Sequence, residues 1–183
     1  MKILEEKTIH DGFLKIIEAQ VEENGNQFVR CKLTRPSVVA VLLYNEDTEK
    51  FILVQQFRYP IGDYTLEAVA GYIDDKETPN EAARRETLEE TGYNIDRMEF
   101  VKKFYLSPGI SDELVYGFIG IVKNTSKVTQ GGGLETENES IVLRELTRKE
   151  LITAISLGNI VDIDAKTVIL AQTILLNSIT NSK

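Results

Sequence analysis

The sequence contains one cysteine, Cys31, and one histidine, His10. A single thiol closes no internal disulfide, which points to a cytoplasmic setting. Cys31 lies among strand-like residues and reads as a packed or incidental thiol. A zinc site or Ser-His triad would have to rest on His10 alone, and the local sequence reads as a solvated turn instead. No apolar run approaches the roughly 20 residues of a membrane helix. The opening MKILEEKTIHDG lacks the unbroken apolar core of a signal peptide. Positive charge is scarce: 21 Lys and Arg face 29 Asp and Glu, a net charge of −8. That balance argues against a nucleic-acid partner. An anionic substrate stays open, because bound metal ions can reverse a local field. No internal repeat or low-complexity linker is present.

What remains is a chain of 183 residues with 42% hydrophobic content, enough for one domain core with a small appendage. Residues 1–36 form the appendage and residues 37–183 the main domain. In the first part, FLKIIEAQVEE and QFVRCKLTR flank Asn24-Gly25, a hairpin signal between two β-favouring runs. A short antiparallel segment cannot bury both faces alone. Pro36 marks the break. VVAVLLY, from Val38, is a near-continuous apolar run that suits a strand covered on both faces. FILVQQF, from Phe51, returns as a second strand. Further strands are expected at Glu99 to Tyr105, Glu113 to Val122 and Ile141 to Leu146, and helices at Arg148 to Leu157 and Asp164 to Ser178. Loops fall at Tyr59 to Tyr64 and at SPGISDE. Three glycines, Gly131 to Gly133, open an acidic stretch holding Glu135, Glu137 and Glu139, and predict a mobile loop.

The densest chemistry lies in GYIDDKETPNEAARRETLEETGY, residues 71–93. Thr78 suits an N-cap, Pro79 the first helical turn and Gly92 the stop, giving a helix over about Asn80 to Thr91. Glu86 and Glu90 then stand one turn apart on one face, beside the small Ala82 and Ala83. Like charges at that spacing repel, and a divalent cation would relieve them. Arg85, four residues before Glu89, can orient that carboxylate. A solvated acidic helix face is the plain alternative for any one pair.

The ordered spacing is more specific. Gly71, five residues, Glu77, seven residues, Arg85-Glu86, two residues, Glu89-Glu90, one residue and Gly92 together resemble the Nudix box. Thr87 and Tyr93 stand where an aliphatic residue is usual. The resemblance runs from about Val38 to the C-terminus. It implies an α+β fold in which a mixed β-sheet lies between helices, an α/β/α sandwich, preceded here by an antiparallel β-segment. The N-terminal strands resemble those with which nucleotide-sugar Nudix enzymes build a homodimer.

The resemblance also implies an activity and a site. FILVQQFR resembles an element whose arginine, here Arg58, contacts substrate phosphate. EAVAG places Glu67 in substrate or metal contacts and makes the Ala70 carbonyl a metal ligand. SPG, with Ser107 and Gly109, resembles a loop near the substrate. Metal ligands are then Ala70, Glu86, Glu90 and Glu139, and Arg85, Glu89 and Glu137 carry catalytic roles. Glu137 is taken as the base, with Glu135 and Glu139 as competing assignments. The implied reaction is Mg²⁺-dependent hydrolysis, with Mn²⁺ as a substitute, of a nucleoside diphosphate sugar to a nucleoside monophosphate and a sugar phosphate. GDP-mannose and ADP-ribose compete, and the GGG loop favours GDP-mannose. A non-catalytic nucleotide-sugar binding module and a hydrolase of another nucleotide are the alternatives.

Overall fold

A computed structural model describes residues 1–134, 140–157 and 163–180. The first three strands, β1 (Lys2–Asp11), β2 (Lys15–Glu23) and β3 (Asn26–Thr34), form a separate antiparallel sheet in the order β1-β2-β3. Asn24 (φ 52°) and Gly25 (φ 79°) join β2 to β3 in the left-handed backbone that a two-residue hairpin loop requires. β1 was not expected. All ten of its residues are exposed, so no buried face imposes an apolar period on the sequence. His10 therefore sits on a strand, paired with Ile16, and not at a turn. Cys31 is exposed too, so of the two readings, packed or incidental thiol, the packed one is corrected.

The main sheet follows with β4 (Val38–Asn45), β5 (Lys50–Arg58), β6 (Asp63–Glu67), β7 (Val69–Tyr72), β8 (Arg97–Tyr105), β9 (Leu114–Val122) and β10 (Val142–Thr147). Its order is β10-β5-β4-β9-β8, with β6 paired to β5 and β7 to β4. The pair β4 and β9 is parallel and the others are antiparallel. The α-helices among the described residues cover it: α1 (Pro79–Thr91), α2 (Arg148–Leu157) and α3 (Ala165–Thr180). Alternate residues of β4 serve two cores. Val39, Val41 and Leu43 pack with Ala82 and Ala83 of α1. Val38, Ala40 and Leu42 pack with Leu151 of α2 and Leu170 and Ala171 of α3. A strand covered on both faces is apolar throughout, which accounts for VVAVLLY.

β4 and β5 separate after three paired positions, and β7 and β6 fill the gap between them. That opening positions the site. α3 is tied across it: the Asp164 amide donates to the Leu66 carbonyl at 3.0 Å, and the Ala68 amide to Thr167 Oγ1 at 2.5 Å. The N-terminal sheet meets the main domain at the β8–β9 connection. There the Leu33 amide donates to the Ile110 carbonyl at 2.8 Å.

Candidate active site

α1 is fixed at both ends by its own sequence. Thr78 and Glu81 form a capping box, Pro79 occupies the first turn, and Gly92 (φ 77°) closes the helix with its amide on the Leu88 carbonyl at 2.9 Å. Ala82 and Ala83 are fully buried and let α1 lie close to the sheet. On the same side Glu90 is buried and Glu86 faces β7. Gly71 makes that approach possible. A Cβ at this position would lie 2.0 Å from the Glu86 carboxyl carbon.

Arg85 organises the carboxylates around it. Its Nε donates to Glu77 Oε1 at 3.0 Å, and its Nη2 to Glu77 Oε2 at 3.0 Å and to the Tyr72 carbonyl at 2.9 Å. Its Nη1 donates to Glu86 Oε1 at 2.8 Å and Glu89 Oε2 at 3.0 Å. All five guanidinium donors thus have acceptors. Hydrogen bonding to Arg85 holds the Glu77 carboxyl below its usual range. The same bonds, led by that to Glu77, push the Arg85 guanidinium still higher.

The β7 backbone faces the same way. The register pairs Tyr72 with Val38 and Ala70 with Ala40, while the Ile73 amide donates back to the Ser37 carbonyl at 3.1 Å. In an antiparallel ladder, polar groups alternate between the partner strand and the other edge. Position 73 bonds across, so positions 72 and 70 point away from β4. The Ala70 carbonyl therefore opens on the edge where the Tyr72 carbonyl meets Arg85.

A second network lies opposite. Glu67 is 2% exposed and accepts two bonds from Arg58, both at 2.6 Å, and one from Thr65 Oγ1 at 2.5 Å. Lys166 Nζ stands 3.6 Å from Glu67 and 3.0 Å from Asp164. Burial alone would raise the Glu67 carboxyl, but the bonds from Arg58 and Thr65 and the charges of Lys166 and Arg58 outweigh it and lower the group. Burial works against the charged Lys166 amine, yet Asp164 and Glu67 hold it above its usual range. Between the two networks lies a cavity of about 860 Å³, whose lining includes Arg35, Arg58, Glu67, Ala70, Glu86 and Lys166.

This geometry suits a hard divalent cation. Among the described residues no three carboxylates form a ready-made cage. The oxygens that could hold one are mixed: the Ala70 carbonyl and the carboxylates of Glu86 and Glu90. Gly71 is the position where a side chain would obstruct the approach between strand and carboxylate. An oxygen-only set of this kind fits Mg²⁺ or Mn²⁺ better than a thiophilic metal.

A family model, the NUDIX domain, matches residues 33–163. The chain belongs to the Nudix family. It is 34% identical to a methanol dehydrogenase activator of Bacillus methanolicus, over 93% of each chain. It is equally identical to a GDP-mannose pyrophosphatase of Cronobacter sakazakii, over 98% of this chain and 97% of that one. An ADP-ribose pyrophosphatase of Bacillus subtilis is also 34% identical, over 88% of this chain and 89% of that one. A solved structure described as an ADP compounds hydrolase superposes with a TM-score of 0.80, at 19% identity, over 98% and 95% of the two chains. The Nudix fold expected from residues 71–93 is the fold observed.

The structure brings most of the expected Nudix site residues together. Arg58, Glu67, Ala70, Arg85 and Glu86 line the cavity, Glu89 is held by Arg85, and Glu90 is buried on α1. Ser107 and Gly109 do not line it. The Ser107 carbonyl instead accepts from the Ile110 and Ser111 amides in the turn beside β3. Glu135, Glu137 and Glu139 lie outside the described residues. Of the glycines before them, two are hydrogen-bonded to the end of α1. All three have positive φ, and Gly132 and Gly133 donate to the Glu90 and Glu89 carbonyls at 2.8 and 3.3 Å. Sequence reasoning missed Arg35, Tyr72 and Lys166. One signal for Lys166 was available: a cation in the first turn of α3 opposes the helix dipole, so its partners must lie off the helix.

Proposed function

We propose that this chain is a divalent-metal-dependent Nudix hydrolase of nucleoside diphosphate sugars, releasing a nucleoside monophosphate and a sugar phosphate. The observation that carries the reading is the opposition across one cavity of a carboxylate–carbonyl edge (Ala70, Glu86) and a cationic wall (Arg58, Lys166). A diphosphate needs both: oxygen ligands for its counter-ion and fixed cations for its own oxygens.

Ala70, Glu86 and Glu90 would hold Mg²⁺, or Mn²⁺ in its place, with Glu139 as a further ligand. The bound cation supplies charge neutralisation at the diphosphate and acidifies water. Arg58 and Lys166 bind and orient the phosphates; each enters the reaction already paired with Glu67 or Asp164, so its position is set before substrate arrives. Arg85 keeps Glu86 and Glu89 aimed. Glu137 takes a proton from the attacking water. The N-terminal sheet pairs two copies into a homodimer, a role supported by the exposed Ile3, Ile9 and Phe13. A cytoplasmic location suits a chain whose one cysteine is exposed, and among the described residues no helix is long and apolar enough to cross a membrane.

GDP-mannose and ADP-ribose are the substrates to test, both being named in relatives of equal identity. The experiment is incubation with each at millimolar Mg²⁺, with products identified by mass spectrometry. Nucleoside monophosphate and sugar phosphate in equal amounts are expected from at least one. Tight binding of either without turnover would support a binding module instead. The regulatory name carried by one equally similar relative keeps that second reading in view.

A further inference from the structure

We propose that Arg35 is a positioning residue that ties the metal-facing edge of β7 to the N-terminal sheet, acting through Tyr72 and Arg85. This inference rests on the metal site proposed above. Arg35 lies just beyond β3, in the segment joining the appended sheet to the main domain. Its backbone amide donates to Asp112 Oδ1 at 3.0 Å, and Asp112 also accepts from Thr34 Oγ1 at 3.3 Å and pairs with Lys32 at 3.7 Å. Its Nε stands 3.4 Å from Glu113 Oε2. These contacts fix the base of the side chain to the β8–β9 connection.

The far end of Arg35 reaches β7. Nη2 donates to the Tyr72 hydroxyl, and the guanidinium lies over the Tyr72 ring at 5.4 Å and within 5.9 Å of the Phe13 ring. Tyr72 is the last residue of β7, two positions after Ala70 and one after Gly71. Its carbonyl receives Arg85 Nη2, and the other η nitrogen of Arg85 holds Glu86 and Glu89. One tyrosine thus joins two arginines. Arg35 restrains its side chain, and Arg85 reads the position of its carbonyl. Among the described residues no other strand pairs with the outer edge of β7, so little else fixes the last residue there. Release of Tyr72 lets the Ala70 carbonyl and the Arg85 fork move independently. Groups that orient ligands without touching the metal commonly change its affinity by roughly 10- to 100-fold.

The relay predicts a defect in metal uptake that precedes any substrate effect. Mn²⁺ is titrated into the full chain without substrate, and free Mn²⁺ is read by electron paramagnetic resonance. Tyr72→Phe removes only the hydroxyl and leaves every contact of Arg35 with Asp112 and Glu113. Arg35→Met removes the donor. Both are expected to weaken Mn²⁺ binding by a common factor of roughly 10. The double variant is expected to be no weaker than either single one, because the two residues act as one link. Arg35→Lys, which keeps a donor for the hydroxyl, should recover part of the loss. Unchanged Mn²⁺ affinity in Tyr72→Phe overturns the relay even if Arg35→Met unfolds. So do multiplicative losses in the double variant, or a rise in the KM for GDP-mannose in Arg35→Met without any loss of Mn²⁺ uptake. A wild-type chain that takes up no Mn²⁺ overturns the relay and the metal site together. If the wild type takes up Mn²⁺ but cleaves no nucleotide sugar, only the proposed function falls, and the relay is still decided by the same titrations.

Discussion

Gly71→Ala separates folding from chemistry. The added Cβ would stand 2.0 Å from Glu86 Cδ and Oε1, where ordinary contact begins at 3.4 Å. The carboxylate must therefore retreat by about 1.4 Å or more. It can do so, because the colliding atoms are the end of a rotatable side chain. The stability cost is then the bond from Arg85 Nη1 to Glu86, worth about 1–2 kcal/mol for a charge-assisted bond at a half-buried site. For a domain of this size, each kcal/mol lowers Tm by roughly 2–4 °C. Displacing a reacting group by about 1 Å can cost roughly 10²-fold in rate. The variant should thus unfold cooperatively a few degrees early and lose at least about 10² in kcat/KM. Gly109→Ala is the matched control, since a Cβ there meets nothing within 4 Å. Thermal unfolding by circular dichroism and steady-state hydrolysis of GDP-mannose decide the matter. Full activity in Gly71→Ala would mean that the Glu86 position seen here is not needed for turnover. Loss of the cooperative transition would mean that the glycine serves the fold.

Glu90→Gln should abolish most turnover while the apo protein remains at least as stable, because one repulsive charge leaves the helix face; near wild-type rates at saturating Mg²⁺ would remove Glu90 from the metal site. Glu67→Gln leaves Arg58 and Lys166 underpaired, and because Arg58 is 42% exposed the cost should fall between the buried and surface cases, about 2 kcal/mol. The depressed Glu67 carboxyl stabilises the fold above its unfolded pKa of about 4.3, and that contribution fades as pH falls. Wild-type Tm should therefore decline more steeply than that of Glu67→Gln below about pH 5, and parallel slopes would exclude Glu67 as the cause. Light scattering at micromolar concentration should show a homodimer that is lost on deleting residues 1–34; a monodisperse wild-type monomer would count against it. Glu137→Gln should lower kcat by roughly 10²–10⁴-fold with little change in KM, whereas Glu139→Gln should raise the Mg²⁺ requirement. Normal turnover in Glu137→Gln together with loss in Glu135→Gln would reassign the base.

Local signals were legible in the sequence and long-range ones were not. Thr78, Pro79 and Gly92 mark the ends of α1 through chemistry confined to a few residues, and the structure places its cap, first turn and stop on them. VVAVLLY announced a strand covered on both sides. Asn24-Gly25 announced its hairpin. β1 was invisible because a strand exposed on every residue carries no apolar alternation. The conformational freedom of Gly131–Gly133 is a property of the residues and could be read locally, while the hydrogen bonds of Gly132 and Gly133 to the end of α1 belong to tertiary structure and could not. In the site, Glu86, Glu89 and Glu90 come from one helix and could be read from their spacing. The Arg35–Tyr72 contact joins positions 37 residues apart, and Lys166 meets Glu67 across about 100 residues of chain. No local pattern encodes either contact.

The two-sided packing of β4 constrains how this chain can vary in length. Exchange of valine for isoleucine or leucine along β4 changes the side chain by about one methylene, a change that cores tolerate at a cost of about 1–3 kcal/mol. Insertion or deletion of one residue is different. It would send the side chains that pack on α1 toward α2 and α3, and the reverse. It would also move β7 out of phase, because Ala40 pairs with Ala70. The Ala70 carbonyl would then turn into the ladder and away from the cavity, and a neighbouring peptide would take its place. Descendants of this sequence should therefore accept conservative apolar exchanges between residues 38 and 44 while keeping the segment's length fixed. Gaps should collect instead in the loop at residues 59–62, where one more residue alters neither phase.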